Sequence, residues 1–527
     1  MNRNAGKNSL QIVLYSAISA FLILYLGMCV YALWFYGSDV VSTMARSGSD
    51  EFHFLDNIRI MFDELSNFRV KGFLYNCYSF GYGIAYWVLL FLATLPGFLL
   101  DNQRLIVFGG RALSLIFSFG TFLLIYFLLK RKLHANLRVI TLVLMPSLLN
   151  LQLFYFQSVV HPESVYIFFI FLTISFLDKD NGQFSKNFYG AGCAWVLAVS
   201  TKALALFSAP LWIIYFLYHR PKFQTVVKLF CMGAASFCIV NLPLLFPLIR
   251  IRFVNWLIGM GGRASGESLL FSIKRGFSVL HGNYFNFYVL IGASLVVIFF
   301  RMMQKTGSVF LRNTCLKAIF ATVFIVYLLL LIYCSCGTAT GHYGLPMLYA
   351  LPVVLAVIYQ NIEFFMPRLS RLLQGIVTVI IIPSPMLFLH SMHQVITSVL
   401  IPSSLVCSVS DTSVAAYETK KDMDIALQIV NKHFSNAKKR LLIRGNTGFG
   451  LIWSTVYMPP IYLSIYDLED KTLVGADVLM FRVLSQDRVP TPNFFSSKEV
   501  RENKIINKFF YKIYDDGRLL IFKRDGL

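Results

Sequence analysis

Between residues 10 and 391 the chain repeats one pattern: an apolar run close to the length that crosses hydrocarbon, then a short loop rich in Lys and Arg. About 20 apolar residues span roughly 30 Å of hydrocarbon as a helix. A chain with many such runs satisfies its backbone polar groups in lipid by forming a bundle of helices. Composition agrees: 57% of the 527 residues are hydrophobic and 14% are charged, against about half and a quarter in soluble domains. Lys and Arg number 47 against 26 Asp and Glu, a net charge of +21. These charges sit between the apolar runs, so they report membrane topology and exclude a nucleic-acid surface as the reason for the basic balance.

The tail differs. Residues 403–527 hold 14 of the acids and 18 of the bases, the composition of a soluble domain. The expected organisation is a transmembrane module over 1–402 and an extracytoplasmic domain over 403–527. Within the tail, 422–434 has helical periodicity and 440–444 and 478–483 are strand-like. Residues 508–523 predict a hairpin around Asp515-Asp516-Gly517.

Charge decides the topology. Arg3 and Lys7 precede an apolar stretch from Leu10 to Tyr36 that is too long for a signal-peptide core, so it is expected to be an uncleaved first span. If 82–99 lies along or dips into the outer face, 17 basic residues and three acids fall inside before the tail. Counting 82–99 as a crossing inverts that distribution, against the positive-inside rule. The remaining spans are 105–129, 138–157, 164–177, 188–200, 203–218, 224–247, 283–300, 314–334, 343–359 and 373–391. About 11 transmembrane helices follow, with a small α/β C-terminal domain outside. The long outer loops are 37–104 and 248–282, and chemistry is usually built where such loops gather.

The nine cysteines form no CxxC pair and fall mostly in apolar runs, so neither a zinc site nor a disulfide framework is indicated. No N-x-S/T sequon occurs, which leans toward a bacterial inner membrane with the outer loops in the periplasm.

Charged residues stranded among apolar ones are the candidates for chemistry. Ser49-Asp50-Glu51-Phe52-His53-Phe54 follows the first span, at the depth of a lipid headgroup. An acidic pair there suits a general base or a metal ligand, or Ser49 simply caps a helix whose first turn carries the acids. In the short second outer loop, Val159-Val160-His161-Pro162-Glu163, the carboxylate is costly unless hydrated or paired. Lys202 is a lone cation that either snorkels to the headgroups or holds a phosphate, and Arg111 poses the same choice. Arg263, Lys274 and Arg275 suit a phosphate or anionic headgroups. His342 begins a span on the outer side.

The order of these features resembles the GT-C glycosyltransferases. Asp50-Glu51-x-His53-Phe54 follows the first span, Arg111-Ala-Leu-Ser lies in the second, and Glu163 sits in the second outer loop. Thr201-Lys202 precedes an apolar run with Pro, His342-Tyr343-x-x-Pro346 comes late, and an extracytoplasmic domain ends the chain. Within that superfamily the pattern is most similar to the lipid-carrier-dependent group of protein O-mannosyltransferases and the lipid A aminoarabinose transferase.

The resemblance implies transfer of a sugar from a polyprenyl-phosphate carrier to a glycan, lipid or protein hydroxyl on the outer face. It implies Asp50 as catalytic base, Glu51 beside it in the acceptor site and Glu163 as the second-loop acid. Arg111 and Lys202 are the implied donor-phosphate contacts, with Arg263, Lys274, Arg275 and His342 as further outer-face groups. No cofactor is required, and a divalent metal is an option through Glu51 with His53 or His342. The second-loop acid is Glu where much of the family has Asp, and the sugar-protein enzymes' inserted domain has no counterpart after 248–282. The C-terminal domain and the missing insert favour a surface glycan or lipid such as O-antigen over a protein acceptor. The competing classes are a transporter or flippase of a lipid-linked saccharide and a ligase with a diphosphate donor.

Overall fold

The computed structural model of the chain describes residues 3–34, 51–132, 151–251, 345–365, 442–445, 461–464, 476–484, 495–517 and 519–526, with scattered positions between them. It divides into two compact units. One comprises 1–36, 57–397 and 405–408, and the other 37–56, 398–404 and 409–527.

The first unit is helical. Its described helices are α1 (Arg3–Trp34), α2 (Glu51–Ser66, entering this unit at Asn57), α3 (Val70–Asn76), α4 (Ile84–Leu99), α5 (Gln103–Lys132), α6 (Leu151–Ser158), α7 (Glu163–Asp180), α8 (Lys186–Thr201), α9 (Pro210–His219), α10 (Phe223–Val240) and α11 (Leu345–Phe365). Two of them, over 104–131 and 223–240, are long and apolar enough to cross a membrane on length and composition alone. The expected spans 283–300 and 373–391 and most of 314–334 lie outside the described residues.

Packing follows the apolar periodicity. Phe21, Tyr25, Cys29 and Leu33 recur every four residues and form one stripe of α1, buried against Leu115 of α5 and Phe154 of α6. The main core joins α5, α7, α8, α9 and α11 through Leu129, Phe171, Phe188, Tyr215 and Tyr349. Helix α10 has no buried residue, as suits an apolar helix facing hydrocarbon.

The helix break expected between 188–200 and 203–218 falls where Lys202 is extended, at φ −152° and ψ 126°. The second piece differs from a single helix. Ala203–Ser208 is a 3-10 turn and the α-helix begins at Pro210, because proline has no N–H to donate and suits a first turn. Similarly, the run expected over 224–247 stops at Val240. Asn241 closes the helix and Pro243 leads a 3-10 turn, Leu242–Leu245.

The second unit carries a mixed sheet of β1 (Leu442–Gly445), β2 (Ile461–Ser464), β3 (Val478–Leu484), β4 (Phe495–Ser496), β5 (Phe510–Asp515) and β6 (Leu519–Arg524), in the order β2-β1-β3-β6-β5 with β4 beside β3. Strands β1, β2 and β3 are parallel, and the β5–β6 hairpin is antiparallel. Its core is Leu479, Phe481, Leu520 and Phe522 with Val500 and Ile506 of the short helices α12 (Ser497–Glu502) and α13 (Lys504–Phe509).

Candidate functional site

Two of the stranded charges meet. Glu163 opens α7, where the helix N-terminus favours a carboxylate, and its Oε1 accepts from Lys202 Nζ. Its Oε2 faces His161 Nδ1. All three residues are buried, at 0% exposed for Glu163, 4% for Lys202 and 1% for His161. Burial rules out a snorkelling Lys202: an ammonium so enclosed requires a counter-charge, and Glu163 supplies it.

Several elements fix this cluster. Ser114 of α5 donates to the His161 carbonyl at 3.3 Å and accepts from its N–H at 3.2 Å. Arg111 lies one turn earlier on the same helix and is fully buried. The loop before α7 reaches α5 at Gly110, where a Cβ would stand 2.7 Å from Val160 Cγ2. Lys202 forms an isolated antiparallel bridge with Tyr82, and Gly83 N donates to the Thr201 carbonyl at 3.0 Å. A Cβ on Gly83 would lie 2.1 Å from the Ser200 carbonyl oxygen, so only glycine permits this approach. The Lys202 ammonium also stands 5.1 Å from the Tyr82 ring centroid and 5.8 Å from that of Tyr166, within cation-π range.

A polar chain braces the same break from the segment between α3 and α4. Asn241 donates to Ser200 Oγ at 2.7 Å and accepts from Tyr78 at 3.3 Å. Nearby, Ser79 donates to Asn57 Oδ1 at 2.8 Å, and its carbonyl accepts from Trp87. Burial raises the Tyr78 hydroxyl above its ordinary value and pushes the Cys77 thiol up to about 12. The phenol therefore stays protonated as a donor, and the thiol is inert.

The helical unit also holds an apolar cavity. Tyr166, Phe171, Leu204, Phe207, Met347 and Ala350 are among its lining residues. Tyr166 thus borders both the cavity and the ammonium.

Of the residues expected from sequence, Glu163 and Lys202 come together, with Arg111 buried on the helix that holds His161. Glu51 is the first residue of α2, and the side chains of Glu51 and His53 lie outside what the structure describes. Asp50, Arg263, Lys274, Arg275 and His342 also fall outside the described residues. Among the described residues no group of three or more His, Cys, Asp or Glu is placed to hold a metal ion. His161, Tyr82, Tyr166 and Asn241 were not selected from the sequence. Only His161 carried a signal, its place two residues before Glu163.

No family model matches the chain, and no curated protein matches it. Among solved structures it is similar to ArnT from Cupriavidus metallidurans in the apo state, with a TM-score of 0.55 at 11% identity over 96% of this chain and 98% of that one. The chain has the fold of ArnT. A second structure of the same protein, bound to undecaprenyl phosphate, matches with a TM-score of 0.51 at 10% identity over 95% of this chain and 97% of that one. At these identities the likeness is one of fold, and it extends over nearly the whole of both chains.

Proposed function

We propose that the chain is an inverting glycosyltransferase that moves a sugar from a polyprenyl-phosphate carrier to a hydroxyl of a cell-surface glycan or lipid, such as O-antigen, on the outer face of the membrane. The observation that carries this reading is a buried lysine sharing Tyr166 with an apolar cavity. That juxtaposition suits an amphiphile with an anionic head and a hydrocarbon tail. The fold supports it, since the similarly folded ArnT binds undecaprenyl phosphate.

In this reading Asp50 takes the acceptor's proton as its oxygen attacks the anomeric carbon. The carbon–oxygen bond to phosphate breaks, and the carrier phosphate leaves with the electron pair. A leaving group that is already an anion needs cations and no general acid. Lys202 and Arg111, with Arg263, Lys274, Arg275 and His342, are the groups assigned to that task. Glu51 lies beside the base in the acceptor site. A divalent metal at Glu51 with His53 or His342 would add Lewis-acid stabilisation of the phosphate, and no step here depends on it.

The test is mass spectrometry of surface polysaccharide, lipid A and envelope proteins from cells carrying the native chain or an equally expressed Asp50→Asn chain. Loss of one hexose-sized or aminopentose-sized unit from one fraction is expected and identifies the acceptor. An unchanged profile in every fraction removes Asp50 as base and favours a transporter of a lipid-linked saccharide.

A further inference from the structure

Lys202 is already neutralised by Glu163, so a phosphate arriving at its ammonium finds a carboxylate in place. Two anions sharing one buried cation repel each other strongly where water cannot screen them. We propose that Glu163 is an exchangeable stand-in for the donor phosphate: it holds Lys202 in the empty site, gives it up when the carrier phosphate arrives, and returns to expel the spent carrier. This rests on the polyprenyl-phosphate reading and adds how that same site is emptied.

Four features support the exchange. The two carboxylate oxygens serve different partners, Oε1 with Lys202 and Oε2 with His161, so one contact can open while the other anchors the side chain. The partners are also mounted separately. His161 and Glu163 belong to one loop and helix start clamped by Ser114, whereas Lys202 sits on the break bridged to Tyr82. When the carboxylate leaves, the rings of Tyr82 and Tyr166 still flank the ammonium. Finally, Tyr166 lines the apolar cavity and its ring centroid stands 5.8 Å from that ammonium, so one ring borders the places proposed for the head and the tail of one amphiphile.

Chemistry gives the exchange a purpose. The donor is a phosphodiester with a single negative charge, while the departing carrier is a monoester carrying about −1.5 to −2 near neutral pH. Cations alone would therefore hold the product more tightly than the donor. A tethered carboxylate competing for Lys202 counters that imbalance. Glu163 is thus a positioning residue whose removal tightens phosphate binding and slows turnover.

The experiment titrates the full chain, in lipid nanodiscs, with farnesyl phosphate by calorimetry, and compares steady-state with single-turnover transfer. Glu163→Gln is expected to bind farnesyl phosphate about tenfold tighter than the native chain, the scale of one lost close charge pair. Its steady-state rate is expected to fall more than its single-turnover rate. Glu163→Asp, too short to reach both partners, is expected to tighten binding by about threefold, which covers the case of a poorly folding glutamine variant. Lys202→Met is expected to lose binding. Native-like or weaker binding by both Glu163 variants, with binding still dependent on Lys202, overturns the exchange and leaves the carrier reading intact. No binding by any form, the native chain included, overturns the carrier reading and the exchange with it.

Discussion

Helix α7 begins and ends on a carboxylate, Glu163 at one end and Asp180 at the other, and both are fully buried. Its 18 residues make about 27 Å of helix, so the two acids lie at opposite ends of one rod. They are satisfied in different ways. Asp180 accepts from Phe184 N at 3.0 Å, Ser185 N at 2.7 Å, Ser185 Oγ at 2.8 Å and the Tyr215 hydroxyl at 2.9 Å. All four donors are neutral, and three come from the next five residues. They hold a turn in which Asn181 and Phe184 take φ of +47° and +52°, conformations that are costly for residues with a Cβ. Beside it, Asp178 pairs with Arg131 at 3.2 Å and ties the ends of α5 and α7. Glu163 instead meets cationic or titratable side chains from a loop and a distant helix break. Backbone donors cannot be traded for a ligand, and a lysine can. On the proposed reading, one end of α7 is a joint and the other a site.

The largest expected effect falls at the site end. Lys202→Met should lower the transfer rate per folded molecule by about 10²–10³, the scale of removing one charge-stabilising donor, measured with purified chain and a polyprenyl-phosphate sugar. Near-native transfer would break the distinction, since Lys202 would then be only the partner that keeps Glu163 soluble in the core.

At the joint end the loss should be of stability. Asp180→Ala strands the buried Tyr215 hydroxyl and three part-buried donors and is expected to cost about 1–3 kcal/mol, read as a lower thermal unfolding midpoint in detergent. Transfer by the molecules that remain folded should match the native rate. A fall in rate with an unmoved midpoint would place catalysis or coupling at this end too.

A smaller effect is expected at the brace of Lys202. In Gly83→Ala the new Cβ would meet the Ser200 carbonyl oxygen at 2.1 Å, and the backbone must part by an amount that costs about 1–3 kcal/mol. Because Gly83 bonds the carbonyl just before Lys202, the donor KM should rise while kcat changes less. Gly233→Ala in α10 serves as the control. Its Cβ would meet nothing nearer than Val196 Cγ2 at 4.0 Å, and replacing a mid-helix glycine gains about 0.5–1 kcal/mol. Equal behaviour of the two variants would show that the close approach at Gly83 does not govern Lys202.

Most helices and the tail hairpin were legible because apolar runs of one length and a turn such as Asp515-Asp516-Gly517 act locally. The break at Lys202 was legible from the loop charges, since one crossing over 188–218 would put Arg220 and Lys222 on the outer side. Glu163 and Lys202 were each selected as a charge that has to be met. That they meet each other is a contact across 39 residues, and nothing in either local sequence encodes it. Asn241 looks like a chance amide at the end of an apolar run until Ser200 and Tyr78 are placed beside it. The end of α10 was missed because hydropathy continues through Leu242-Pro243-Leu244-Leu245 while hydrogen bonding does not. The parallel pairing of β1 with β2 and β3 depends on crossovers, which period-two alternation does not report.

The smallest predicted effect extends the contrast between α7's two acids to the tail. Burial alone would raise the carboxyl of Asp515, but donation from Lys512 at 2.7 Å, Gly517 N at 3.0 Å and Arg501 at 2.8 Å outweighs it and holds the group below its ordinary value. Like Asp180, it is gripped partly by its own turn, and so it should behave as a joint. A depressed carboxyl contributes stability that is fully present above its unfolded value, near 3.9, and is lost as pH falls through the lower folded value. Lys512 and Arg501 are about half exposed, so solvent screens both pairs and the contribution is a fraction of a kcal/mol. In Asp515→Asn the unfolding midpoint of the full chain should drop slightly at neutral pH and converge with the native one at the acid end, with transfer unchanged. A variant that instead altered transfer at neutral pH would make this turn part of acceptor handling, and would show that a carboxylate gripped by its own turn can also serve a site.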